Sequence, residues 1–133
     1  MTVRFPSLAF FQALQQRTRD DKSTFERLGY CDTHFGVRVG DSLFSIDFDV
    51  YECTGLEEGG DPTKLDFVLS GPPQTWREMV DSILETDGAD AAHTLNTLSH
   101  LGDTLKVESN DAEGADKFYR YMASIQEFFD QAR

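Results

Sequence analysis

A change of hydrophobic period sets the architecture of this chain, and it lies within Leu65-Asp66-Phe67-Val68-Leu69-Ser70-Gly71-Pro72-Pro73-Gln74-Thr75-Trp76-Arg77-Glu78-Met79-Val80-Asp81-Ser82-Ile83-Leu84. The first residues alternate with a period of two, which predicts a strand whose buried face carries Leu65, Phe67 and Leu69. Beyond the turn residues, the apolar positions follow helical spacing, at Trp76, Met79, Val80, Ile83 and Leu84. Pro73 suits the first turn of that helix, where its missing N–H would have no intrahelical partner. A strand therefore leads through a stiff turn into an amphipathic helix.

The length of the chain predicts a single domain over residues 1–133. A chain of 133 residues buries about 70% of its unfolded surface, which is enough for a substantial core. Eleven phenylalanines and one tryptophan supply bulky apolar volume. Aromatic rings of this kind either fill a core or wall a cavity, and the composition alone leaves both interpretations open.

The net charge of −12 excludes several classes of partner. A protein that follows a phosphate backbone needs clustered lysines and arginines, so nucleic acid is not expected as a partner. The same charge repels anionic headgroups, and no run approaches the ~18 apolar residues of a membrane span, so stable membrane insertion is not expected. The N-terminal apolar run is interrupted by Pro6 and does not resemble a secretory signal. Cytoplasmic location is the resulting prediction.

The first half of the chain predicts helices followed by a hairpin. One broken helix or two short ones span Pro6 to Leu28, with Gly29 suited to the helix end, and they cover either a core or, as a lid, a cavity. The pattern from Tyr30 to Cys53 predicts a hairpin with a type II′ turn at Gly40-Asp41. That turn pairs inward-facing residues across the strands, namely Val37 with Phe44, Phe35 with Ile46, and Thr33 with Phe48.

The hairpin register also places the polar residues and the two cysteines. His34 lies opposite Asp47 on the solvent-facing side, where a general base is conceivable but a simple polar cross-strand pair is the stronger interpretation. Asp32 lies opposite Asp49. Cys31 points inward and Cys53 outward, so no disulfide is expected between them. Neither cysteine has a CxxC neighbour, and no zinc site is indicated.

Metal sites are not predicted elsewhere in the chain. Gly55 to Lys64 is rich in breakers and acids, and Glu57, Glu58 and Asp61 lack the order of a calcium loop, which favours a solvated loop. His93 and His100 are seven residues apart, roughly 10 Å along a helix, which is too far for one metal ion.

The last third of the chain predicts a helix, a strand and a long terminal helix. After a break at Asp87-Gly88-Ala89-Asp90, the first helix runs to Leu101, with Leu95, Leu98 and Leu101 inward and Gly102 at its end. A strand over Thr104–Ser109 points Leu105 and Val107 inward. Asn110-Asp111-Ala112-Glu113 supplies an N-cap at Asn110 with an acid three residues later. The terminal helix, from Asp111 to about Ala132, has a wide apolar face of Phe118, Tyr121, Met122, Ile125, Phe128 and Phe129.

Three runs of residues carry a resemblance to a known family: Asp66-Phe67-Val68-Leu69-Ser70-Gly71-Pro72, Trp76-Arg77-Glu78-Met79 and Gly102-Asp103-Thr104-Leu105-Lys106-Val107-Glu108-Ser109-Asn110-Asp111. With the order of elements around these runs, the chain resembles the sterol carrier protein family, as a stand-alone member of bacterial type. The resemblance implies an α+β fold, in which helices cover one face of an antiparallel sheet of four to five strands.

The resemblance also implies a function. Members bind an apolar ligand, such as a fatty acid, acyl-CoA or a sterol, in a tunnel between sheet and helices, and they use no catalytic residue and no cofactor. An enzyme of a lipid pathway is an implied partner. The residues expected to line the tunnel are Phe44, Ile46, Phe48, Trp76, Met79, Leu105, Phe118, Met122, Ile125 and Phe129.

Two other functions stay open at this stage. A non-catalytic accessory or interaction module with a filled core would show the same hydrophobic pattern. An enzyme based on His34 and Asp47 has little support, because no serine or cysteine nucleophile is spaced to join them. Ligand identity and oligomeric state do not follow from the sequence.

Overall fold

The computed structural model describes residues 4–100 and 104–133. Within them, helices and strands follow the chain in the order α1 (Leu8–Asp20), α2 (Lys22–Leu28), β1 (Thr33–Val39), β2 (Ser42–Asp49), β3 (Glu52–Glu58), β4 (Phe67–Gly71), α3 (Pro73–Thr86), α4 (Leu95–His100), β5 (Lys106–Glu108) and α5 (Ala112–Asp130), with a 3₁₀ turn at Pro62–Lys64. The α+β class is confirmed. The predicted end of α4 at Leu101 and Gly102 lies outside the described residues.

The five strands form one mixed sheet in the order β3-β2-β1-β4-β5. Neighbouring strands are antiparallel except β1 and β4, which are parallel. The expected purely antiparallel sheet is therefore corrected at this one pair. The reason is the connection after β3, which returns along the sheet to the end where β1 begins: the Asp66 N–H donates to the His34 carbonyl oxygen over 2.7 Å.

The predicted hairpin register is confirmed in β1 and β2. Val37 pairs with Phe44, and the pairs on either side follow, including Phe35 with Ile46, Thr33 with Phe48 and His34 with Asp47. Gly40 has a φ of 61°, the left-handed value that the first central residue of a type II′ turn requires. Turn chemistry and alternation agree, so the aromatic residues share the inner face.

The third strand was not predicted, and it reverses the expected orientation of Cys53. A turn at Val50 and Tyr51 joins β2 to β3, so Cys53 pairs with Phe48 on the inner face and is buried. The sequence predicts only two strands between Tyr30 and Cys53. Because the two-residue turn starts a third strand, Cys53 points to the opposite side from the one predicted. The loop predicted for Gly55 to Lys64 accordingly begins only after Glu58.

The predicted strand and helix within residues 65–84 are both present, and the prediction is corrected at both ends of this segment. β4 leads into α3, with Pro73 as its first residue. Leu65, however, precedes β4 and packs over Gly36 on the other face of the sheet, because the 3₁₀ turn interrupts the alternation. At the far end of α3, Leu84 is 47% exposed, although its spacing predicted burial.

The helices cover the inner face of the sheet and enclose the core. The two predicted N-terminal helices are confirmed as α1 and α2, and Gly29 ends α2 with a φ of 98°. The predicted cap of α5 is corrected by one residue: Asp111 rather than Asn110 is the N-cap, and its carboxylate accepts the Gly114 N–H over 2.7 Å. α5 then crosses the sheet with its buried residues, among them Phe118, Ile125, Phe128 and Phe129, directed inward.

Candidate ligand-binding site

The ten residues predicted to line a tunnel all lie in the layer between sheet and helices. β2 contributes Phe44, Ile46 and Phe48, each at most 3% exposed. α3, the segment before β5, and α5 contribute the rest: Trp76, Met79, Leu105, Phe118, Met122, Ile125 and Phe129. Met122 differs from the others because it is only half-buried and lies at the margin of the cluster.

Aromatic rings contact one another throughout this layer. Trp76 stacks on Phe129 with ring centroids 5.5 Å apart, and Phe118 meets the ring of Phe67 edge-on at 5.6 Å. Phe48 meets Phe128 edge-on at 5.3 Å. Rings at these distances fill the space between them, so a ligand entering this layer has to displace rings or separate the helices.

Trp76 fixes the position of α3 against the sheet. Its indole N–H donates to the Arg38 carbonyl oxygen of β1 over 2.9 Å, and the side chain is fully buried. Buried tryptophans usually find such a partner for their one polar atom. The predicted burial of Trp76 is confirmed, and the hydrogen bond adds an orientation that spacing does not contain.

Sequence reasoning missed several members of the layer. Phe10 and Phe11 of α1 are buried and in contact with it, as are Phe67 and Phe128. The signal for Phe11 is its place on an apolar stripe with Leu8 and Leu14 in the first predicted helix, which the sequence left open as core cover or lid. Phe11 lies 4.9 Å from Phe44 and 6.2 Å from Phe129, so α1 forms part of the same layer.

A small cavity opens beside this layer, between the start of α1, α3 and the residues after α5. Its volume is about 190 Å³. Apolar side chains form most of its wall, and two charged residues of α3 complete it; the lining is Phe5, Phe10, Val80, Leu84, Ala132, Arg77 and Asp81. The exposure of Leu84 is explained by its place at this opening.

Asp66 joins three elements at the end of the sheet. Its carboxylate accepts hydrogen bonds from the Thr33 hydroxyl (2.8 Å), the His34 N–H (3.0 Å) and the Lys117 ammonium group (3.3 Å). Desolvation is the largest influence on its pKa and raises it, but the hydrogen bonds from His34 and Thr33, together with the charge of Lys117, lower the pKa overall. This carboxylate holds β1, β4 and α5 together.

The polar features considered from the sequence are an exposed cross-strand pair and two buried thiols. The imidazole Nδ1 of His34 lies 2.6 Å from an Asp47 carboxylate oxygen, and both side chains are about half exposed on the open face of the sheet. Cys31 and Cys53 are free thiols, and burial raises the pKa of each to about 12, which disfavours the reactive thiolate.

The described part of the chain holds neither a metal-binding cluster of side chains nor a helix that could span a membrane. Residues 4–100 and 104–133 contain no cluster of three or more histidine, cysteine, aspartate or glutamate side chains that could hold a metal ion. The helices in those residues also lack the combination of length and hydropathy that a membrane span requires.

The overall structure is similar to solved sterol carrier proteins. A crystal structure of sterol carrier protein 2 superposes with a TM-score of 0.72 at 14% sequence identity, covering 98% of each chain. A solution structure from Thermus thermophilus, of a conserved hypothetical protein described as possibly a sterol carrier protein, gives 0.59 at 13% identity over 97% of this chain and 90% of that one. No family model and no curated protein sequence matches the chain. The fold is therefore sterol-carrier-like, as the sequence pattern indicated.

Proposed function

We propose that residues 1–133 act as one non-catalytic domain that binds an apolar ligand between sheet and helices and transfers or presents it. The observation that carries this proposal is a sterol-carrier-like fold whose helix-covered sheet face is apolar and aromatic. The ten candidate residues form the binding layer. A fatty acid, an acyl-CoA or a sterol-like molecule is the ligand class, and an enzyme of a lipid pathway would receive it.

The packed rings require that binding and helix movement occur together. Each methylene of an acyl chain that leaves water contributes about 0.8 kcal/mol, so a long chain can offset the loss of several ring contacts. Methionine adapts to such a rearrangement because it is unbranched and has several rotatable bonds. Met79 lies within the layer and Met122 at its margin, so α3 and α5 each present one adaptable side chain to an entering ligand.

An accessory module with a filled core is the second candidate function. It is favoured by the stacking of Trp76 on Phe129, which leaves no space between those two rings. In that case the open surfaces, rather than the interior, would carry the function, and the protein would take up no lipid.

Lipid uptake measured on three proteins separates the two functions. Native mass spectrometry of the freshly purified parent tests for co-purified lipid. Fluorescence of an added fluorescent fatty acid measures lipid uptake by each protein. Because Met122 is half-buried, we expect Met122→Trp to fold and to obstruct the margin of the layer, which abolishes uptake. Tyr119→Trp on the same helix is the control, since Tyr119 is 49% exposed and should tolerate the change without loss of uptake.

A ligand-free parent that takes up no fatty acid or sterol would contradict the carrier function. An unfolded Met122→Trp beside such a parent would favour the filled-core module. Uptake by all three proteins would move the binding site away from the margin at Met122 while leaving the carrier function in place.

A further inference from the structure

The cavity beside α3 has the dimensions of a partial binding site. At about 190 Å³ it falls below the ~300–1,000 Å³ of pockets that enclose a whole drug-sized ligand. Five of its seven lining residues are apolar, among them Phe5, Val80 and Leu84, and this part of the wall suits hydrocarbon. The cavity therefore accommodates one end of a single hydrocarbon chain, and the rest of such a molecule would lie at the opening or extend inward.

A continuous series of ring contacts links this cavity to the interior layer. Phe5 contacts Phe10 at 4.9 Å between ring centroids, and Phe10 contacts Phe11 at 5.4 Å. Phe11 in turn lies 6.2 Å from Phe129, which stacks on Trp76. A hydrocarbon chain that displaces these rings one after another would pass from the cavity to the candidate binding layer along aromatic side chains.

The opening carries one positive and one negative side chain. Arg77 and Asp81 are exposed residues of α3, four positions apart, so they project from the same side of the helix. Among residues 4–100 and 104–133, no ion pair joins them and Arg77 has no hydrogen-bond partner. The acid follows the base along the helix, which is the less favourable order for pairing at this spacing. Both charges are therefore available to a ligand.

We propose that this opening recognises a single-chain amphiphile with a zwitterionic headgroup. The chain end occupies the cavity, the anionic part of the headgroup meets the Arg77 guanidinium, and the cationic part meets the Asp81 carboxylate. A purely anionic headgroup would face repulsion from Asp81, and a purely cationic one would face repulsion from Arg77. The inference rests on the proposed function, because it names the ligand class and the entrance for the same interior layer.

The test uses decylphosphocholine below its micelle concentration, with decanoate as the anionic comparison. We expect the parent to bind decylphosphocholine more tightly than decanoate in calorimetric titrations. Arg77→Gln and Asp81→Asn should each weaken decylphosphocholine binding about threefold to tenfold, the effect of losing one charged contact at an exposed site. Asp81→Asn should tighten decanoate binding, because it removes a repulsive charge.

Two further variants act as controls for the charge and for the apolar surface. Glu78→Gln changes an exposed charge on α3 outside the cavity lining and should leave both affinities unchanged. Leu84→Gln removes apolar surface at the opening and should weaken the binding of both ligands. It should leave the fold intact, because Leu84 is 47% exposed. Leu28→Gln, at a comparably exposed leucine of α2, is matched to Leu84→Gln and should leave both affinities unchanged.

The possible outcomes separate this inference from the proposed function. The zwitterion inference would be overturned if the parent bound decanoate as tightly as decylphosphocholine. It would also be overturned if Arg77→Gln and Asp81→Asn left the affinity for decylphosphocholine unchanged. If the parent still takes up the fluorescent fatty acid in that case, the carrier function stands without it. A parent that binds neither probe and takes up no fluorescent lipid overturns both.

Discussion

The two faces of the sheet are built from the same strands, but one is buried and aromatic and the other is exposed and polar. On the inner face, Phe35 stacks on Phe67 with ring centroids 5.4 Å apart, and both are fully buried under the helices. On the outer face, the neighbouring His34 forms an exposed pair with Asp47. Burial of one large apolar side chain contributes about 1.5–3 kcal/mol, whereas an exposed polar cross-strand pair contributes about 0.2–1 kcal/mol. The inner face therefore supplies the stability and, under the proposed function, the ligand layer.

The outer face is not wholly open, and its cover is of a different kind. Leu65, from the connection between β3 and β4, packs over Gly36, whose lack of a side chain makes room for it. The Ser45 hydroxyl donates to the Gly59 carbonyl oxygen over 2.7 Å, and the Asn110 amide donates to the Thr63 carbonyl oxygen over 2.9 Å. A loop held by individual hydrogen bonds replaces the packed helices of the inner face, and it leaves grooves on both sides of Leu65.

The largest expected effect belongs to Trp76→Ala on the inner face. The change removes a fully buried ring, its stacking on Phe129 and its hydrogen bond to Arg38, and we expect a loss of about 3–5 kcal/mol in the free energy of unfolding. Urea denaturation measures it. Trp76→Phe should lose less, because it keeps a ring in the layer. A loss below about 1 kcal/mol for the alanine variant would show that the inner layer does not depend on this packing.

Gly114→Ala tests how closely α5 approaches the sheet. An added Cβ would lie 2.0 Å from the Asp66 carbonyl oxygen, a backbone atom that cannot rotate away. We expect a loss of about 1–3 kcal/mol from overpacking, although alanine favours helix over glycine by up to about 1 kcal/mol. Ala123→Gly, at an exposed position of the same helix, gives the size of the propensity effect alone. A more stable Gly114→Ala protein would contradict this close approach.

Asp66→Asn should lower the free energy of unfolding by about 1–2 kcal/mol at neutral pH, because the acceptor oxygen loses the negative charge that strengthens its hydrogen bonds from Thr33 and His34 and attracts Lys117. The pKa of Asp66 is lowered in the folded protein, so its contribution is complete above the unfolded value of 3.8 and decreases as pH falls through the folded pKa. The difference between parent and variant in urea denaturation should therefore shrink in acid. A difference that stays constant from neutral pH to the acid limit of folding would contradict this assignment.

The smallest effect is expected on the outer face. A double-mutant cycle with His34→Ala and Asp47→Ala should give a coupling energy below about 1 kcal/mol, because the pair is exposed. A coupling energy of several kilocalories per mole would show that the two faces are less different than their packing indicates.

The same contrast explains which features could be predicted from the sequence. The register of β1 and β2 and the start of α3 were predicted correctly because local signals agree there: Gly40 suits the turn, and Pro73 suits the helix start. β3 was missed because Gly55 and the surrounding acids suggest a loop, whereas pairing with β2 holds the segment as a strand. Tertiary pairing overrides weak local preference at such an edge.

The burial of most candidate residues was predictable from the sequence, whereas the geometry of their contacts was not. Alternation placed Phe44, Ile46 and Phe48 on one face, and helical spacing placed Trp76 and Met79 opposite them. The ring pairs that meet, and the half-burial of Met122, depend on contacts between residues far apart in the chain. The cavity beside α3 was not predictable for the same reason, since Phe5 and Val80 approach only in the folded protein.

The central claim is that the helix-covered face binds an apolar ligand, and it is tested most directly by the free energy of unfolding in the presence of that ligand. Urea denaturation of the parent is measured against increasing concentrations of a fatty acid, an acyl-CoA and a sterol. The claim predicts that at least one of them raises the free energy of unfolding, by about 2.7 kcal/mol at one hundred times its dissociation constant. A free energy of unfolding that none of the three ligands changes would contradict it.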